Sequence, residues 1–213
     1  RAKNSIQRAC DRAGRGARVD VNPALFHLCV SAIDAICKPG VCVLIFLPGL
    51  SEIEQLHEEF RTTAKGSYDY HMLHSIVPHE TQQLALKPPP PGKAKIILST
   101  NIAESSITIP DVRYIFDFGV VRKLMLDDDR SMLTLVNTWA SKATCMQRRG
   151  RCGRLAEGCI IYLFPKQMYA NLSEYAAPEV LNVPLETIYL KSKVLLAQLG
   201  KPEDLLAQLM DAP

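Results

Sequence analysis

Four arginines fall within seven residues of the run Gln147-Arg148-Arg149-Gly150-Arg151-Cys152-Gly153-Arg154, and no acid lies among them. Arginine suits planar, two-pronged recognition of phosphate and stays charged when desolvated. The glycines let the backbone come close to a neighbour. Arg151 and Arg154 are three apart, so on a helix they share a face and two guanidinium groups can grip one phosphoryl group from two sides. A solvated basic helix end is an equal reading, because cations are favourable near a helix C-terminus. A second run, Ser99-Thr100-Asn101-Ile102-Ala103-Glu104-Ser105-Ser106, sets hydroxyl and amide side chains just past an apolar stretch ending at Leu98. Such groups contact phosphate or sugar without adding charge. They also cap helices.

The usual complements of a phosphate site are missing from the sequence. There is no G-x-x-x-x-G-K-[ST] phosphate loop, and no acidic D-E-x-x strand end to hold magnesium. His27, His57, His71, His74 and His79 form no H-E-x-x-H pattern, and no G-x-S-x-G nucleophile elbow occurs. Seven cysteines form no C-x-x-C pair, which argues against zinc. They read as free thiols in a reducing compartment, hence an intracellular protein, cytoplasmic or nuclear. Phosphate-gripping arginines without a phosphate cradle suggest half of a composite site, with the other half on another domain.

The elements that must position these runs alternate between helix and strand. Asn22 and Pro23 start a helix, whose Leu25, Leu28, Ala32, Ile33 and Ile36 share one face until Pro39-Gly40 ends it. Val41 to Leu47 is continuously apolar, as a strand buried on both faces should be. After Pro48-Gly49, Ser51 with Glu54 reads as a capping box, and Leu50, Ile53, Leu56 and Phe60 follow at helical spacing. Further strands are expected at Tyr70–Leu73, Ile96–Ser99, Val112–Phe118 and Cys159–Phe164. Helices are expected from Pro78 to about Lys87, before Pro88 to Pro91, and from Trp139 to Arg149. Val120–Leu126 and Ser131–Val136 flank Asp127-Asp128-Asp129 as a hairpin with an acidic tip. The tail, with Leu185, Ile188, Tyr189, Val194, Leu195, Leu199, Leu205, Leu206 and Leu209, is expected to be helical. The whole predicts an α/β domain with a mostly parallel sheet flanked by helices. Ligands of such sheets sit outside the carboxyl ends of the strands.

The chain has 213 residues, 25 Lys plus Arg against 22 Asp plus Glu, and 47% apolar residues. That composition excludes a disordered tail and a small disulfide scaffold. No stretch of about 18 uncharged apolar residues is present, so no membrane helix and no membrane partner are expected. The net charge of +3 is too small to argue nucleic-acid binding. It is also uneven: residues 1–20 carry six basic and two acidic residues, so the remainder is close to neutral. Residues 1–20 are expected to be a basic arm or linker, and the opening Arg1 suggests a piece of a longer chain.

Several of these runs occur together and in order: Phe46-Leu47-Pro48-Gly49-x-x-Glu52-Ile53, Leu73-His74-Ser75, Ser99 to Ile109, Trp139-Ala140-Ser141-Lys142-Ala143, and Gln147 to Arg154. This set resembles motifs IV, IVa, V and VI of the DEAH-box/RNA helicase A family of superfamily 2, over roughly residues 40–200. Ser105-Ser106 with Pro110-Asp111-Val112 is most similar to the Tudor-domain helicases of the spindle-E type, which act in germline RNA silencing. The resemblance implies the second RecA-like domain over 21–180, with 181–213 as the helical start of a winged-helix region. It implies ATP-driven translocation along single-stranded RNA, with ATP and Mg2+ held mainly by a first RecA-like domain of the same chain. RNA, that domain, and ribonucleoprotein or silencing-complex proteins are the implied partners.

By position, Arg151 and Arg154 would be arginine fingers, and Gln147 would orient the attacking water. Thr108 and Glu104 would serve the nucleotide. Ser75, Thr100 and Asn101 would hold the RNA backbone, with Gly49 near it. The Val120–Val136 hairpin matches one that the family uses beside the RNA strand. Leu86 stands where the family often has a base-stacking aromatic, Pro110 where an acid often follows motif V, and Cys152 where motif VI usually has Ala. These departures keep a second reading open: a non-catalytic RNA-binding or protein-interaction module with a helicase fold.

Overall fold

The computed structural model describes residues 19–127, 132–178, 185–195, 198, 200–201, 203–204 and 207. Most of the basic arm, the tip of the acidic hairpin, and Leu199, Leu205, Leu206 and Leu209 lie outside the described residues.

The first helix, α1 (Ala24–Ile36), begins where the Asn22 side chain accepts the Ala24 N–H at 3.0 Å, a local bond that satisfies one orphan donor of the first turn. It buries Phe26, Cys29, Val30 and Ile33 at helical spacing. Next come β1 (Cys42–Phe46), α2 (Leu50–Thr63), β2 (Tyr68–Leu73), the short α3 (His79–Leu84), β3 (Ala94–Ser99) and α4 (Ile102–Ser105). Then follow β4 (Val112–Asp117), β5 (Val120–Asp127), β6 (Met132–Trp139), α5 (Lys142–Arg149), β7 (Cys159–Tyr162) and α6 (Lys166–Asn171).

Five strands pair in parallel, in the order β2-β3-β1-β4-β7, as the alternation of elements predicts. The side chains of β1 divide between two cores by strand alternation. Val43 and Ile45 meet Phe26, Cys29, Ile33, Ile53, Leu56 and Phe60. Cys42, Leu44 and Phe46 meet Leu73, Ala85, Ala103 and Ile109. Burial on both faces is why β1 reads as a continuous apolar run. The strand ends are in register, with Leu73 opposite Ser99, Ser99 opposite Phe46, Phe46 opposite Asp117, and Asp117 opposite Tyr162. All the following loops therefore leave from one edge.

Polar residues also sit inside the sheet. Lys95 of β3 is fully buried, and its ammonium donates to Ala85 O at 3.0 Å and Lys87 O at 2.7 Å and pairs with Asp111 Oδ2 at 2.9 Å. Three donors meet three acceptors, which makes the burial tolerable. The same contacts fasten the segment that precedes Pro88–Pro91.

Local expectations fail in four places. The Ser51–Glu54 capping box does not form: α2 starts at Leu50, with Gly49 at its cap, and the Ser51 hydroxyl accepts from Gln55 instead. The helix expected up to Lys87 is only the six residues of α3. Trp139 closes β6 rather than opening a helix, and α5 begins at Lys142, where the Ser141 hydroxyl accepts the Thr144 N–H at 3.1 Å. The strand expected to Phe164 stops at Tyr162.

A separate compact unit comprises Lys123–Val136 and Ala177–Pro213. It holds the outer part of the β5–β6 ribbon and α7 (Leu185–Leu195), and the Tyr189 hydroxyl donates to Glu203 at 2.8 Å.

Candidate functional site

The carboxyl edge of the sheet collects most of the singled-out residues. Ser75 lies exposed in the turn after β2. Thr100 follows β3 and is buried, and its N–H donates to Leu73 O at 3.2 Å, tying the β2 and β3 exits together. Asn101 is exposed at the start of α4, and Thr108 is exposed in the loop after it. Gly49 lies at the β1 exit but is buried beneath the side chain of Arg122. A Cβ placed on Gly49 would come 2.2 Å from Arg122 Nη1, so glycine here makes room for a guanidinium group.

Arg122 leaves the sheet edge on β5 and is held on two sides. Its Nη2 donates to both oxygens of Glu52, at 2.9 and 3.1 Å, and its Nε donates to Asn137 Oδ1 at 2.9 Å. Asn137 Nδ2 closes the triangle on Glu52 at 3.0 Å. The roots of β5 and β6 are thus pinned to the first turn of α2 by a charge-assisted network.

The arginine run does not lie on one helix face. Helix α5 stops at Arg149, and Arg151 and Arg154 stand in the loop beyond it. Glycine sets that loop. Gly153 takes a φ of +79°, and a Cβ on Gly158 would lie 2.6 Å from Gly153 N, so the loop closes tightly on itself. Gln147, Arg149 and Arg154 are exposed and Arg151 is partly buried. The Nε of Arg151 is buried without a partner among the described residues. An orphan donor on a guanidinium group is of the kind that an anionic partner satisfies.

Arg148 differs from its neighbours. It is 1% exposed and sits over the Phe46 ring at 4.8 Å. Its Nε and Nη2 both lie 2.7 Å from Glu104 Oε1, and its Nη1 is 2.7 Å from Asp117 Oδ1. Burial alone would disfavour its charge, yet Asp117 and Glu104 together hold its pKa above the ordinary guanidinium value. Asp117 is itself fully buried at the end of β4; its Oδ1 also accepts the Gly119 N–H at 2.8 Å, and its Oδ2 has no partner among the described residues. Glu104, expected at the nucleotide, therefore commits Oε1 to Arg148.

Sequence reasoning grouped Arg148 with the phosphate ligands, named Glu52 only as part of a motif without a role, and missed Arg122, Asn137, Asp117 and Lys95. Only Arg148 left a local signal, since it stands three residues after the buried Cys145 on the same helix face. Leu86, expected to stand where the family often has a stacking aromatic, is 39% exposed beyond α3. Among the described residues no cluster of three or more His, Cys, Asp or Glu could hold a metal ion. A cavity lined by Ile36, Lys38, Val41, Arg113 and Leu155 opens at the amino-terminal ends of β1 and β4, and Leu155 directly follows Arg154.

A five-stranded parallel sheet flanked by helices, with hydroxyl and amide groups on the loops leaving one edge and guanidinium groups on the loop between α5 and β7, defines a RecA-like helicase domain. Residues 27–156 match the helicase conserved C-terminal domain, and the chain belongs to that family, in the DEAH-box branch of superfamily 2. It is 43% identical over 180 residues to the Aedes aegypti protein named "Probable ATP-dependent RNA helicase spindle-E", covering 80% of this chain and 13% of that protein. It is 43% identical over 172 residues to human "ATP-dependent RNA helicase TDRD9", covering 80% of this chain and 12% of that one. The Escherichia coli DEAH/RHA helicase HrpB has a solved structure that superposes with a TM-score of 0.74 at 26% identity, over 86% of this chain and 23% of that one. The chain thus spans a small fraction of the length of the relatives it matches.

Proposed function

We propose that this chain acts as the second RecA-like domain of an ATP-dependent RNA helicase, closing the nucleotide site from the side opposite the phosphate loop. ATP and Mg2+ are held mainly by a first RecA-like domain of the same protein, and ATP supplies the phosphoryl group. Arg151 and Arg154 are arginine fingers: they stabilise the negative charge that develops during phosphoryl transfer, a contribution of about 10³- to 10⁵-fold in rate. Gln147 orients the attacking water, and Thr108 and Glu104 stand on the nucleotide side. Ser75, Thr100 and Asn101 hold the RNA backbone, with Gly49 behind them. Contacts to phosphate and sugar position a strand without reading its sequence, so little base preference is expected. With no aromatic at Leu86, a stacking platform at that position adds none.

The observation that carries this reading is the unpartnered, buried Nε of Arg151 on the glycine-closed loop after α5. The likeness to proteins named as ATP-dependent RNA helicases supports RNA as the substrate; ribonucleoprotein or silencing-complex partners, in the cytoplasm or nucleus, belong to the same proposal. The test uses the full-length protein that carries this domain. Arg151→Ala and Arg154→Ala should each cut RNA-stimulated ATP hydrolysis by about a thousandfold while RNA binding persists. Undiminished hydrolysis would sink the finger assignment. A full-length protein that binds RNA but never hydrolyses ATP would instead establish the non-catalytic module.

A further inference from the structure

We propose that Arg148 is a positioning residue that links the RNA-facing loop to the nucleotide-facing loop, so that RNA bound beside α4 sets the placement of Arg151 and Arg154. The proposal rests on the reading of those two loops given above. Its basis is a chain of short contacts. Asn101 lies at the cap of α4 and Glu104 within it, three residues apart on a helix only four residues long. Glu104 Oε1 takes two donors of Arg148, each at 2.7 Å. Arg148 lies on the last turn of α5, directly after Gln147 and directly before the loop that carries Arg151 and Arg154. Its third nitrogen is fixed to Asp117 at 2.7 Å, and Asp117 is anchored on Gly119 N at the β4 exit.

Every alternative placement of Arg148 is costly. Breaking one partner from a buried ion pair leaves an uncompensated charge. A displacement of α4 therefore pulls α5 along rather than parting from it. Guanidinium geometry suits such a link, because its rigid planar fork meets Glu104 and Asp117 from separate nitrogens, whereas a lysine ammonium is a compact point charge on one nitrogen. The face of Phe46 beneath it completes a seat that excludes water. The other three arginines of the run are not buried and have no ion-pair partner among the described residues. Arg148 alone is withdrawn from solvent and committed to the fold.

The experiment is hydrogen exchange on the full-length protein, without nucleotide, before and after adding a single-stranded RNA of mixed sequence. RNA should slow exchange at residues 100–105 and also at 147–154. Slowing at 100–105 with no change at 147–154 overturns the coupling while leaving the RNA contacts standing. No slowing at 100–105 overturns the RNA-contact reading and the coupling with it. In Arg148→Lys, the ratio of RNA-stimulated to RNA-free hydrolysis should fall about tenfold, an ordinary size for coupling between sites. An unchanged ratio in a cooperatively melting variant overturns the proposal. Should the variant fail to melt cooperatively, exchange in the wild-type protein decides the matter.

Discussion

Arg122 and Glu52 stand 70 residues apart in the chain and meet in a two-pronged ion pair, Nη2 lying 2.9 and 3.1 Å from the two carboxylate oxygens. The pair is possible only because residue 49 carries no side chain. Gly49→Ala should therefore displace the guanidinium group and cost about 1–3 kcal/mol, the usual range for overpacking. For a chain of this size that lowers the melting temperature by about 2–4 °C per kcal/mol. The cost should be strongly non-additive with Arg122→Ala, since removing the obstacle removes the clash. Thermal melts of the two single variants and the double variant check this, and additive losses would contradict it.

Lys95 offers a sharper loss. Lys95→Met keeps the aliphatic stem but strands Asp111 and the carbonyls of Ala85 and Lys87 without their donor. Breaking a buried pair from one side costs about 3–5 kcal/mol. Asp111→Asn, which leaves an acceptor in place, should cost less. Urea unfolding of both variants measures the difference, and equal stabilities would refute the role given to Lys95.

Asp34 sets a pH dependence. Partial burial alone would raise its pKa, but the Tyr68 hydroxyl and the N–H groups of Lys65 and Gly66 outweigh it and hold the carboxyl below its ordinary value. A carboxylate so depressed contributes stability above its unfolded pKa of about 3.9 and loses it as pH falls through the lower folded value. Stability of the wild-type protein should therefore fall more steeply below about pH 4 than that of Asp34→Asn. Denaturant unfolding at a series of acid pH values compares the two slopes, and parallel curves would exclude the effect.

Much of the sheet was legible because β1 is buried on both faces and leaves an uninterrupted apolar run. Lys95 defies that logic: inside β3 it reads as a polar interruption, and its partners Ala85, Lys87 and Asp111 lie on other elements. Trp139 was misplaced because it directly precedes a helical pattern, while the turn at Ala140-Ser141 that separates them is only two residues long. The Ser51 capping box satisfied a local rule, but the helix already begins at Leu50 with Gly49 at its cap, which puts Ser51 inside the first turn. The loops at the carboxyl edge could be located from the strand pattern and the motif order. The division of labour within Gln147–Arg154 could not, since four arginines are chemically alike until burial distinguishes one of them.

The Ser141 hydroxyl that starts α5 also has a bearing on how the sequence can change in length. From that cap the helix runs only eight residues, and its rotation of about 100° per residue decides which side chain points inward at the end. Adding or deleting one residue between Ser141 and Arg148 would turn Gln147 or Arg149 toward Asp117 and swing Arg148 into water. The segment can therefore accept many exchanges of residue type but no frame slip, and its seven-step count from hydroxyl to guanidinium is a ruler built into the chain.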